Sequence, residues 1–222
     1  MWRVQTVIHI CYDVSFKTLS VLYSILIRWF LQLYALGVME LDRFSVKKEI
    51  LIDYAGWGDL ILGVVIGALK RPAHRYIPIS YMERRIPVSS FQPPNFENKR
   101  YLDDAVKVAE EIVKVMQPDM ETRFKVCSGY VLSSIHGHLR DQGFNVEEVE
   151  TTGELQEMVE RSYERWCIEV GAPAERLEDE RRFSTLLEWV AERPELREKL
   201  VKTGWKSWCE KWREIAFKMA RK

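Results

Sequence analysis

Three observations predict an α+β domain built on a mixed five-stranded sheet. Three apolar runs follow one another between residues 50 and 82 with short connections, as strands of an antiparallel meander do. From residue 101 helical stripes alternate with two short strand-like runs, an order that adds parallel strands through helical crossovers. From Gly171 onward the chain is charged and helical in pattern. These changes divide it into an apolar N-terminal segment (1–38), a core domain (47–171) and a charged helical C-terminal extension (172–222).

Ile50–Tyr54 is continuously apolar except for Asp53, as expected of a strand buried on both faces. Gly56 and Gly58 make a turn, and Leu60–Leu69 reads as the second strand. Tyr76–Met82 alternates and reads as the third, with Pro78 limiting its pairing to an edge. Glu83–Arg100, with three prolines, reads as a long loop. Tyr101–Met116 carries Leu102, Ala105, Ala109, Ile112 and Met116 on one helical face. Arg123–Cys127 is a fourth strand, Ser128 a cap for the helix after it, and Phe144–Glu150 a fifth strand. Thr151 or Thr152 is the expected cap of a helix reaching Val170. Helices are expected over Arg176–Ala191, from Pro194, and over Trp205–Lys222.

The 222 residues are 47% hydrophobic and 30% charged, a globular balance. Lys and Arg total 33, as do Asp and Glu, so no global field draws the chain to nucleic acid or to basic partners. Cys11, Cys127, Cys167 and Cys209 form no CxxC pair, which argues against a zinc ribbon or disulfide scaffold and for reduced thiols in a cytoplasmic setting.

The N-terminal segment has three readings. Thr18–Val38 is long and apolar enough to span a bilayer, but Arg28 sits at its centre, where an ionised side chain is costly. It is a single-pass membrane anchor through residues 18–38, a helix packed on the domain or a partner, or a mis-assigned start with the protein beginning at Met39. The charged run directly after Met39 favours the last.

The order of elements, with Asp53 ending the first strand before a glycine turn and VCSGYVLSSI running from the fourth strand into a helix, resembles the ribonuclease H-like superfamily over roughly Glu49–Gly171. The charge-rich helices resemble an archaeal branch. The resemblance implies a divalent-metal nuclease or nucleic-acid-processing enzyme using Mg²⁺ or Mn²⁺, with nucleic acid as partner. It places the first metal carboxylate at Asp53 and takes the remaining acids from the first long helix (Asp104, with Asp103, Glu110 and Glu111 as alternatives) and from the start of the last core helix (Glu154, or Glu157). Asp53, Asp104 and Glu154 are thus the candidate catalytic and metal-binding set. Ser128, Tyr130 and Val131 match the family's strand-to-helix pattern, but Cys127 stands where the family keeps an Asp. A thiol is a poor ligand for Mg²⁺, so a catalytically inactive binding or scaffold module is the alternative function, and a membrane-tethered protein a third.

Other residues have plainer readings. Asp53 also suits a turn-capping role. His136 and His138, two apart, point to different sides of a helix and read as surface residues. Cys127 at a helix start has the placement of a nucleophile but no His–Asp partner in sequence. Gly56–Gly58 lacks the rest of a phosphate loop. Trp205, Trp208 and Trp212 could stack on bases beside the basic residues of 205–222, yet their spacing fits a core-facing stripe.

Overall fold

The computed structural model describes residues 47–73, 78–150, 152–173 and 181–221. The segment 1–38, with its anchor and start-site readings, and Cys11 therefore lie outside the described residues. Strands β1 (Lys48–Ala55), β2 (Val64–Pro72) and β3 (Ser80–Ile86) form the meander. Helix α1 (Arg100–Met116), β4 (Arg123–Cys127), α2 (Ser133–Asp141), β5 (Asn145–Val149) and α3 (Glu154–Glu169) follow. The extension holds α4 (Arg182–Glu192), α5 (Pro194–Arg197) and, after a π-helical turn at Trp208–Trp212, α6 (Arg213–Met219). The sheet order is β3-β2-β1-β4-β5. β1–β2 and β2–β3 are antiparallel, and β1–β4 and β4–β5 are parallel. This mixed five-stranded sheet, a meander extended by two strand–helix units, is the arrangement the order of elements in the sequence predicts.

Period-two alternation explains how β1 sits at the centre. Ile50 and Ile52 face a core shared with Ala105, Ala109 and Ile112 of α1 and Ile135 and Leu139 of α2. Leu51 and Ala55 face a second core with Leu155, Val159 and Tyr163 of α3. Both faces are covered, so β1 reads as an unbroken apolar run. Leu186 and Val190 of α4, with Trp208 and Ala216, join the second core, and residues from Val46 onward form one compact unit. Trp208 is buried, Trp212 packs edge-on against Phe183, and Trp205 is half-buried, so the tryptophan stripe is core packing.

Several boundaries depart from expectation. The third strand is Ser80–Ile86, four residues later than the alternation of Tyr76–Met82 suggests; residues 74–77 lie outside the described residues. β3 is an edge strand, and Glu83, Arg84 and Arg85 are tolerated there because one side of the strand meets solvent. The first four residues of the expected 83–100 loop are therefore strand, followed by a 3-10 turn at Val88–Phe91. Ser128 caps nothing through its side chain: a 3-10 turn at Tyr130–Leu132 intervenes before α2. Thr152 does not cap α3 either; Gly153 holds that position at φ 60. Among the described residues no helix is long and apolar enough to cross a membrane.

Candidate functional site

The carboxyl ends of β1 and β4 lie side by side, because the parallel register pairs Ile52 with Val126 and brings Asp53 and Cys127 up next. Asp53 shares the strand face of Leu51 and Ala55 and is 2% exposed. A buried carboxylate needs partners. Its Oδ1 accepts the Tyr54 amide at 2.8 Å and its Oδ2 accepts the Thr152 hydroxyl at 2.5 Å. Thr152 is itself buried and comes from the loop entering α3. The hydroxyl expected to cap a helix is thus turned onto Asp53.

Cys127 completes the cluster. Its thiol lies 3.5 Å from the Glu150 carbonyl. Burial, then the adjacent Asp53 carboxylate, pushes its pKa up to about 11. The thiol therefore stays protonated at neutral pH, contrary to the lowered pKa that a helix-start nucleophile requires. His136 is buried rather than at the surface, its Nε2 3.3 Å from the Cys127 carbonyl. His138 is the partly exposed one, 2.9 Å from the Gln142 amide and 3.8 Å from Glu110. The chain comes close here: a Cβ on Gly129 would sit 2.0 Å from the Tyr54 ring, so only glycine lets the β4–α2 loop pass over β1.

The other two predicted acids have partners of their own. Asp104 on α1 accepts the Ser90 hydroxyl at 2.7 Å and pairs with Lys107 at 2.9 Å and Arg100 at 3.3 Å. Burial acts to raise its pKa, but these hydrogen bonds and charges hold it below the usual value. Glu154 is exposed in the first turn of α3, where an acid complements the helix dipole. Among the described residues no group of three or more His, Cys, Asp or Glu is placed to hold a metal ion. The donor set around Asp53 is a hydroxyl, an amide N–H and a protonated thiol. It fits neither Mg²⁺ nor Mn²⁺, which take several oxygen donors including carboxylates.

Beside this cluster lies an aromatic group that sequence spacing did not signal. Trp57, on the turn after β1, packs on Phe91 (5.9 Å between centroids), Tyr101 (5.4 Å) and Tyr130 (5.9 Å). Tyr130 is 49% exposed and presents part of its ring outward. Its members come from four separate elements, so no local periodicity could reveal it.

Neither a protein-family model nor a curated protein matches the sequence. Solved structures do. Ribonuclease H2 from Pyrococcus horikoshii OT3 is similar at 15% identity and a TM-score of 0.45, over 79% of this chain and 100% of that one. The catalytic core domain of BIV integrase is similar at 13% identity and a TM-score of 0.28, over 62% of this chain and 77% of that one.

Proposed function

We propose that this chain is a ribonuclease H-like recognition module in which an internally hydrogen-bonded cluster occupies the place of the fold's metal-dependent hydrolytic centre. The observation that carries this reading is the state of Asp53. Both of its oxygens are engaged within the protein, one by a buried threonine hydroxyl. The neighbouring position is a protonated thiol. A two-metal mechanism needs carboxylates free to bridge cations and to stabilise attacking and leaving oxygens. This cluster instead ties β1 to the start of α3. Recognition of nucleic acid, the partner class the fold resemblance implies, would use the aromatic group of Trp57 and Tyr130 at the same end of the sheet, since ring faces stack on bases of any sequence.

Calorimetric titration of the full-length chain with Mg²⁺ and Mn²⁺, beside Asp53→Asn and with a nuclease assay, tests the reading. The expected result is no saturable binding and no cleavage by either protein. Saturable binding and cleavage, both abolished by Asp53→Asn, would overturn this reading in favour of a metal-dependent nuclease with Asp53 as a ligand.

A further inference from the structure

The extension reaches back to the β1–β2 turn through one short segment, 199–205, and Lys202 at its centre is fully buried. The Lys202 side-chain nitrogen donates to the carbonyls of Gly56, Trp57 (3.2 Å) and Asp59 (2.9 Å), all three on that turn. Three convergent acceptors match the three hydrogens of an ammonium. The turn's own backbone supplies one closing hydrogen bond, Asp59 N–H to Gly56 O at 3.3 Å, so the lysine fastens it more than the turn fastens itself. The rings of Phe91 and Trp205 each lie 5.2 Å from the same nitrogen, within range of a cation–π contact. Phe91 belongs to the aromatic group: it packs on Trp57 at 5.9 Å and stacks on Tyr101 at 5.4 Å. Lys202 therefore holds both the backbone that carries Trp57 and a ring that Trp57 packs against. Its neighbours tie the segment down at the same two places. Lys202 N–H donates to Leu60 O at 3.0 Å and Gly204 N–H to Phe91 O at 3.0 Å. The Gln92 side-chain amide donates to Val201 O at 2.8 Å and to Lys199 O at 3.0 Å.

We propose that Lys202 is the positioning residue of the aromatic site: its ammonium fills a three-carbonyl pocket on the β1–β2 turn and so fixes Trp57 against Phe91, Tyr101 and Tyr130. The charged C-terminal extension is then a working part of the recognition face and not an appendage to the domain. The choice of residue follows from the geometry. Methionine would fill the space but leave the three carbonyls without these donors. Arginine spreads its donors over a planar fork and cannot aim three hydrogens from one nitrogen. A tethered ammonium meets both requirements. Burial pushes the Lys202 pKa down to about 7, and Asp59 opposes that fall. The carbonyls and the ring faces act with Asp59, since each favours the charged form.

Lys202→Ala in the full-length chain removes the part of the side chain that propylammonium can replace. The Trp57 indole N–H, identified in ¹H–¹⁵N spectra by Trp57→Phe, is expected to shift or broaden in this variant. Millimolar propylammonium is expected to return it to its wild-type position. Propanol, of the same length but without the ammonium donors, is expected to leave it displaced. A resonance that does not move in Lys202→Ala, that propylammonium fails to restore, or that propanol restores equally overturns the proposal. Affinity for a fluorescent single-stranded oligothymidylate, at constant ionic strength, is expected to fall roughly tenfold in Lys202→Ala, the scale of one stacked base, and to recover with propylammonium. An affinity unchanged by the substitution also overturns the proposal. The oligonucleotide measurement rests on the recognition reading and the indole resonance does not. A wild type that ignores the oligonucleotide therefore sinks that reading, while the indole resonance still decides the role of Lys202. Should Lys202→Ala not fold, the wild type decides. The Lys202 ammonium is expected as a slowly exchanging ¹H–¹⁵N correlation with nuclear Overhauser contacts to the rings of Phe91 and Trp205. An ammonium exchanging as fast as those of the surface lysines overturns the pocket.

Discussion

Asp53 and Thr152 are 99 residues apart in sequence and share a hydrogen bond in the buried end of β1. Hydrogen bonds to charged groups are worth about 1.5–3 kcal/mol, and losing one here leaves the carboxylate with the Tyr54 amide. Thr152→Val keeps the shape and removes the donor, so it is expected to destabilise the fold by about 2 kcal/mol, with the urea midpoint lowered and the slope unchanged. A midpoint equal to that of the wild type would mean that Thr152 contributes nothing to holding Asp53. The prominence of Asp53 was legible in the sequence, because an acid inside an apolar run either carries function or finds a partner. Thr152 was not: a threonine before a helix has an ordinary local explanation as a cap, and only the tertiary structure redirects it. Cys127 was legible as a departure from the family pattern, but its raised pKa follows from burial and from Asp53 across the sheet, neither of which is a local property.

The elements themselves were easier to read where periodicity and burial agree. β4 has the predicted bounds, and α1 begins one residue early, because an alternating half-buried strand and an amphipathic helix each leave a period in the chain. β3 was misplaced because Tyr76–Met82 alternates more regularly than Ser80–Ile86, whose charges belong to an edge strand. The meander also depends on a close approach that no pattern encodes. A Cβ on Gly63 would lie 1.7 Å from the Ile86 carbonyl oxygen and 2.9 Å from the Pro87 carbonyl carbon. Those are backbone atoms, so the obstacle cannot rotate away. Gly63→Ala is therefore expected to push β3 off β2 at this end and to cost about 1–3 kcal/mol, the range for an overpacked core. Thermal unfolding followed by circular dichroism measures it. An unchanged midpoint would show that the β2–β3 end yields without cost.

Across the whole molecule, buried charge lies at both ends of β1, and each end gains stability as pH rises, in a window of its own. At the start of the strand Glu49 is 3% exposed and is paired with Arg71 at 2.7 Å and Lys125 at 2.9 Å, joining β1 to β2 and to β4. Burial acts to raise the Glu49 pKa, but the hydrogen bonds and charges of Lys125 and Arg71 hold it below 4.5. Its stabilisation is thus present in full above pH 4.5 and is lost as pH falls through the folded value. At the far end Lys202 contributes a rise in stability from about pH 7 upward. Neither charge stood out in the sequence, since Glu49 sits in a charged run and Lys202 lies 146 residues from the Gly56 carbonyl it meets. Glu49→Gln keeps the volume and removes the charge, leaving two cations facing an amide. It is expected to cost about 3 kcal/mol at pH 7, the scale for breaking a buried ion pair. Because the glutamine does not titrate, the variant's stability should also fall less steeply than that of the wild type below pH 4.5, while the rise above pH 7 stays intact. Urea unfolding at a series of pH values from 3 to 9 separates the two. An acid limb of unchanged steepness in Glu49→Gln would show that other carboxylates, and not this ion-paired one, set the acid stability of the sheet.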